Sequence, residues 1–213
     1  MTTETTESLI ARLSADAAPV KRLRPPMLRA GLWLLAAALG STFFVAIAAD
    51  THAFLVRAYD PRQSIELAAT LATGILAVLA AFELSLPDRS RAWAWLPMPA
   101  LAVWLATTGL GCLKAWIAGT PTDLSESTEC FLILVGTSLP LGLILSWMLL
   151  KAKPMAPAPV AAMGGLGVAA ISAFLLQFFH PFDVTVIDLA IHIVAVALVI
   201  GASAIAGRKA VAA

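Results

Sequence analysis

The chain alternates between long apolar runs and short polar segments. Runs of about 20 residues, the length that a helix needs to cross roughly 30 Å of hydrocarbon, recur six times, at 27–49, 64–84, 93–113, 130–150, 160–179 and 184–207. The runs lack the period-2 alternation of strands, and lipid leaves only helices or closed barrels as spanning structures. The pattern therefore predicts an all-α integral membrane protein, a bundle of six transmembrane helices.

Composition agrees with lipid as the solvent. Apolar residues make up 60% of the chain and charged residues 13%, whereas a soluble domain has roughly 45–50% and 25%. The segment 1–18 is polar and lacks an apolar core of its own, so we expect no cleaved signal peptide. Two cysteines without a CxxC spacing argue against a disulfide scaffold or a thioredoxin-type motif.

The basic residues predict the orientation in the membrane. One set of connecting segments holds Arg12, Lys21, Arg22, Arg24, Arg29, Arg89, Arg91, Lys151, Lys153, Arg208 and Lys209. The opposite set holds only Arg57, Arg62 and Lys114. Because positive charge stays cytoplasmic, both termini are predicted to be cytoplasmic. The chain then divides into a cytoplasmic amphipathic tail (1–26), a six-helix transmembrane domain (27–207) and a short cytoplasmic C-terminus (208–213).

The tail carries a short amphipathic pattern. Residues 5–18 are predicted to form a helix in which Leu9, Ile10 and Leu13 lie on or beside one apolar face. A helix of about 14 residues is marginal alone in water, so this face suits a partner groove or the membrane surface equally well.

Both cysteines and all three histidines fall on the outer half of the predicted topology. Cys112 ends the third run, Cys130 begins the fourth, His180 follows the fifth, and His192 lies inside the sixth. Asp188 precedes His192 by one helical turn, and Asp183 lies beside His180. An ionisable side chain within a span is a functional candidate by default. Each residue alone is more often a buried thiol or a helix-end imidazole, but together they predict a shared site.

Two thiols and two imidazoles suit a tetrahedral metal site. Zn²⁺, or a thiophilic ion such as Cd²⁺ or Cu⁺, would be bound by Cys112, Cys130, His180 and His192. Asp183 and Asp188 would orient the imidazoles or add a ligand. The same two cysteines could instead form a disulfide on oxidation, and the residues leave both alternatives open.

Several matches make the chain resemble the NrsF family of six-helix membrane anti-sigma factors. They are the entry segment from Leu9 to Pro26, which includes Ile10, Leu13, Asp16, Val20, Arg22 and Arg24, the loop Leu86-Pro87-Asp88-Arg89-Ser90-Arg91, Gly111-Cys112, Cys130, Phe179-His180-Pro181-x-Asp183 and His192. The resemblance implies a bacterial inner-membrane protein whose N-terminal segment sequesters an extracytoplasmic-function sigma factor. It implies that an external metal or oxidant releases that factor, with no direct contact to nucleic acid.

Other classes fit less well. A small transporter would place charged groups near the bilayer midplane or show repeated halves, but Glu66 and Glu83 lie at span ends. A thiol oxidoreductase or metalloprotease would carry CxxC or HExxH, and neither is present. We therefore predict that the protein is not an enzyme, and a metal-handling membrane protein or small transporter stays as the alternative.

Overall fold

The computed structural model describes residues 5–15, 22–49, 54–55, 58–119, 124–179, 190, 193–198, 201 and 205. Within these residues the chain is helical and contains no strand. The helices are α1 (Thr6–Ala15), α2 (Pro26–Ala48), α3 (Pro61–Leu84), α4 (Met98–Ile117), α5 (Leu124–Leu150) and α6 (Pro157–Leu176). A 3₁₀ helix, Arg91–Trp95, leads into α4.

Five helical stretches in the described part of the chain are long and apolar enough to cross a membrane. They are Pro26–Ile47, Pro61–Leu84, Arg91–Ile117, Phe131–Leu150 and Pro157–Leu176. The prediction of an all-helical protein with long apolar helices is thereby confirmed for the first five runs. Of the sixth run, residues 193–198 are helical, and Ala195 packs with Leu134 of α5 and Ala173 of α6.

Proline and a side-chain cap determine where several helices begin. Pro26, Pro61 and Pro157 occupy the first helical positions of α2, α3 and α6, where the missing N–H costs nothing and the fixed φ angle favours a helix. Before Pro61, the Asp60 carboxylate accepts hydrogen bonds from the backbone N–H groups of Arg62 (2.8 Å) and Gln63 (3.4 Å). These bonds satisfy two of the donors that a helix start leaves open.

Two helix boundaries differ from the sequence prediction. Cys112 was expected to end its helix, but α4 continues to Ile117. Cys130 was expected to begin its helix, but α5 starts at Leu124. Hydropathy detects the part of a helix that can lie in lipid, whereas the polar turns beyond it are helical for reasons of backbone hydrogen bonding. Both cysteines therefore lie more than one turn inside their helices.

The core of the bundle is the contact between α3 and α6. These helices bury 56% and 67% of their apolar windows, against 17–22% for the other three spans. They meet at Gly74 and Gly167, where the backbones approach so closely that a Cβ on Gly74 would lie 3.3 Å from the Gly167 carbonyl oxygen. Small residues permit such an approach between helices in lipid.

The remaining helices pack around this pair and leave apolar surface outside. On α2, Leu35, Leu39 and Phe43 are 57–70% exposed, whereas Trp33 on the opposite face is buried in the core with Phe82 of α3. Exposed side chains of this size need hydrocarbon rather than water around them. We call the end at which α2 begins and α3 ends the tail-proximal end, and the opposite end the tail-distal end.

Candidate functional site

The apolar residues of the tail helix α1 are exposed. None of its residues is buried, and Leu9, Ile10 and Leu13 are 37%, 60% and 60% exposed. At its first turn the Ser8 hydroxyl donates to the Thr5 carbonyl over 2.8 Å. This arrangement agrees with the predicted apolar face.

The other residues predicted to contact a sigma factor follow α1. Arg22 and Arg24 are exposed in the extended segment that leads to Pro26. Asp16 and Val20 lie outside the described residues. Five of the seven predicted contact residues are therefore among the described residues, and all five are exposed.

At the tail-distal end, Cys112 of α4 is a buried free thiol. It is 8% exposed and follows Gly111, which packs against Arg62 of α3. A Cβ on Gly111 would lie 2.6 Å from the Arg62 Nη1 atom. The thiol thus sits beside the closest contact between the ends of α3 and α4.

A polar clamp joins α3 to α4 one turn from Cys112, and the sequence analysis missed it. The Thr108 hydroxyl donates to Glu66 Oε1 over 2.8 Å, and Arg62 Nη1 donates to Glu66 Oε2 over 3.3 Å. The same Nη1 donates to the Thr107 carbonyl over 3.2 Å. Glu66 is 8% exposed, so its charge is matched by neighbours rather than by bulk water. The sequence does contain a signal for this clamp: an acidic residue, Glu66, inside an apolar run, with Arg62 four residues before it.

The other predicted metal ligands cannot be placed beside Cys112. His180, Asp183, Asp188 and His192 lie outside the described residues, as does the side chain of Cys130. Among the side chains that are described, no group of three or more His, Cys, Asp and Glu residues has metal-binding geometry. The Cys2His2 site therefore stays a prediction.

A second charged cluster, at the tail-proximal end, was also missed. Arg29, in the first turns of α2, is 6% exposed, and its guanidinium lies 5.0 Å from the centre of the Phe82 ring of α3. Its Nη2 donates to the carbonyl of Met148 in α5. The sequence had suggested only that Arg29 belongs to the basic residues that set topology, yet it links three helices.

Glu83 lies next to Phe82 and is also buried, at 3% exposure. Arg89, from the loop after α3, places its Nε 3.1 Å from Glu83 Oε2, an ion-pair distance without the angle of a hydrogen bond. Among the described residues, Glu83 Oε2 and Arg29 Nη1 are buried without a hydrogen-bond partner. Buried charged groups with few hydrogen bonds are costly, and the ion pair with Arg89 and the bond to the Met148 carbonyl offset part of that cost.

An apolar cleft of 670 Å³ opens between α2, α3 and α6. Its described lining is apolar except for Ser41 and Thr42, and it includes Leu71, Ile75 and Phe174. None of the described residues that line it is titratable, and this lining suits a hydrocarbon chain better than a polar substrate or ion.

Fold and surface together define the class as a protein of long apolar helices, compatible with several passes through a membrane, that carries a short, exposed N-terminal helix. The comparison with known families is specific. The family model of NrsF, negative regulator of sigma F, matches residues 13–212, and the chain belongs to this family. The resemblance noted in the sequence is thus confirmed over nearly the whole chain. No curated protein and no solved structure matches it.

Proposed function

We propose that the protein is a multi-pass inner-membrane anti-sigma factor that sequesters an extracytoplasmic-function sigma factor through its N-terminal segment. Membership of a family of negative sigma-factor regulators supports the regulatory role. We assign binding of the sigma factor to the tail because the exposed apolar residues of α1 are the feature most suited to a protein groove. Both termini are cytoplasmic in this proposal, because the basic residues cluster on that side.

The energetics of the tail suit reversible binding. Burying Leu9, Ile10 and Leu13 would contribute about 1.5–3 kcal/mol each, and ordering the tail and losing its translational freedom would offset much of that. The basic residues Arg22 and Arg24 add charge that can complement an acidic partner surface. A complex of this kind holds its partner and can still release it.

Capture of a sigma factor tests the proposal. The full-length protein, purified in detergent with a co-expressed extracytoplasmic-function sigma factor from the same genome, is compared with an Ile10→Glu, Leu13→Glu variant. Ala11→Glu is the matched control, because Ala11 is exposed but points away from Leu9 and Leu13. We expect capture by the wild type and the control but not by the double variant.

Two results would contradict the assignment. Equal capture by all three chains would show that the sigma factor binds a surface other than the apolar face of α1. No capture by any chain, tested against every such sigma factor of the genome, would remove the anti-sigma role and favour a metal-handling membrane protein.

We further propose that Cys112 and Cys130, with His180 and His192, sense an external metal or oxidant and that this signal releases the sigma factor. The buried free thiol of Cys112 beside the α3–α4 clamp supports a role in helix packing, and a stimulus can shift the packing only if it binds two states unequally. Replacing both cysteines with serine should abolish induction by Cd²⁺ and by diamide while sigma capture persists. Normal induction in that variant would refute the sensor role of the thiols.

A further inference from the structure

Arg29 and Glu83 occupy neighbouring positions at the tail-proximal end without forming an ion pair. Arg29 lies over the ring of Phe82, and Glu83 follows Phe82 directly in α3. Both side chains are buried, and each has an atom, Nη1 of Arg29 and Oε2 of Glu83, that lacks a hydrogen bond within the described chain. Glu83 Oε2 has an ion-pair contact with Arg89 but no hydrogen bond, and Arg29 Nη1 has no hydrogen bond, so both charged groups would gain from a hydrogen-bonded pair.

Each charge is held by a different partner in this structure. Arg29 donates to the Met148 carbonyl near the end of α5. Glu83 is paired with Arg89, whose side chain is 45% exposed, so Arg89 can return to water if another cation takes its place at the buried carboxylate. A bidentate pair of Arg29 with Glu83 would use Nη2 as well as Nη1, and would therefore take Arg29 away from the Met148 carbonyl of α5.

We propose that Arg29, Glu83 and Arg89 form a charge switch that sets how α2, and with it the tail, is attached to the bundle. In the state described here Glu83 holds Arg89, and Arg29 ties α2 to α5. In the other state Glu83 releases Arg89 and pairs with Arg29, which frees α2 from α5. A discrete element with two arrangements is what coupling between distant sites requires.

The position of the switch connects it to regulation. Arg29 is four residues after Pro25, the last residue of the non-helical segment 22–25 with which the tail joins α2. A displacement of Arg29 would therefore move the point at which the tail is attached. The α5 helix that Arg29 leaves carries Cys130 toward its other end. The regulatory consequence rests on the proposed anti-sigma function, whereas the exchange of partners does not.

A double-mutant cycle tests the exchange itself. Arg29→Met, Glu83→Gln and the double variant are made in the full-length chain, once with Arg89 and once with Arg89→Ala, and thermal unfolding is followed in detergent. With Arg89 present, the two shifts in Tm should add. In the Arg89→Ala background, the Tm shift of the double variant should differ from the sum of the two single shifts by about 2–4 °C, because Arg29 and Glu83 then pair with each other. If Arg29→Met is not recovered folded, Arg29→Gln, which removes the charge but keeps a hydrogen-bond donor, takes its place in the cycle.

Sigma-dependent transcription tests the regulatory part. Arg89→Ala should raise transcription without any stimulus, and adding Glu83→Gln should return it to the wild-type level, because Arg29 then has no carboxylate to join. Arg91→Ala is the matched control, as it removes an exposed charge from the same loop. Additive Tm shifts in both backgrounds would overturn the switch, and unchanged transcription in Arg89→Ala would overturn its regulatory role. Failure of the wild type to capture a sigma factor would instead refute the proposed function, and the Tm cycle would still decide the exchange.

Discussion

Gly74 of α3 and Gly167 of α6 lie against each other at the centre of the bundle, each occupying the space that a side chain on the other helix would need. A Cβ on Gly74 would lie 2.7 Å from Cγ1 and 3.2 Å from the backbone nitrogen of Ile171. A Cβ on Gly167 would lie 2.7 Å from Cγ2 and 3.1 Å from the backbone nitrogen of Val78. The contact is therefore reciprocal and made largely by backbone, which cannot rotate out of the way.

Substitution at this contact should be costly. Gly167→Ala forces α3 and α6 apart and should destabilise the protein by about 1–3 kcal/mol, the usual cost of overpacking. Gly40→Ala on α2 is the control, because nothing lies within 4 Å of the added Cβ and alanine favours a helix. Unfolding by SDS titration measures both, and equal stability of the two variants would show that the helices can separate freely.

The clamp between α3 and α4 makes a second prediction. Glu66→Ala removes the carboxylate that both Arg62 and Thr108 contact and should cost about 3 kcal/mol. Thr108→Val removes only the hydroxyl donor and should cost about 1 kcal/mol. The two losses should be less than additive, because both act on the Glu66 carboxylate. Strict additivity in the same SDS titration would contradict a shared clamp.

The stability of the α3 start should depend on pH through Asp60. Hydrogen bonds from the Arg62 backbone N–H and, less strongly, from that of Gln63 lower the pKa of this exposed carboxyl below 3.8. Since the folded-state pKa is lowered, the stabilisation is present above the unfolded-state pKa and is lost as pH falls through the folded-state value. The Tm of the wild type should therefore fall toward that of Asp60→Asn between about pH 5 and pH 3, and a constant Tm difference would refute this assignment.

Shortening the apolar side chains of α1 should weaken binding of the sigma factor, with a separate loss of affinity for each side chain. Leu13→Ala and Ile10→Ala should each raise Kd about tenfold, since loss of about 1.4 kcal/mol of burial corresponds to that factor. Ser8→Ala is the control, as Ser8 is exposed, points away from Ile10 and Leu13, and donates its hydroxyl to the neighbouring Thr5 carbonyl. Titration of labelled sigma factor into the detergent-purified protein gives the three constants, and unchanged Kd in all variants would exclude α1 as the contact.

Cys112 should react slowly with thiol reagents. In a Cys130→Ser variant the 8% exposed Cys112 is the only thiol left, and maleimide should label it more slowly than a cysteine placed at the exposed position Ala118. In SDS the two rates should converge, which separates burial from intrinsic reactivity. Equal rates in the folded protein would mean that the Cys112 end of α4 opens readily.

The sequence predicted the first five apolar helices because the hydrocarbon length imposes the same requirement on every span. It placed the ends of α4 and α5 wrongly, since the turns near Lys114 and Ser125 are helical without being apolar. The clamp of Glu66 with Thr108, and the contacts of Arg29, depend on how each helix is rotated about its own axis. Hydropathy carries little information about that rotation when a helix is apolar on all sides.

The glycine contact also lies midway between two other contacts of α3, and the stretches of helix from Gly74 to each of them form two arms of equal length. Gly74 is eight residues from Glu66, which clamps α4, and eight residues from Phe82, over which Arg29 lies; each arm is about 12 Å long at 1.5 Å per residue. A tilt of α3 by about 5° around its point of contact with α6 would move both arm ends by about 1 Å in opposite directions. Such a tilt would move the Phe82 end, beside Arg29 and the start of α2, by the same distance as the Glu66 end beside Cys112, and in the opposite direction.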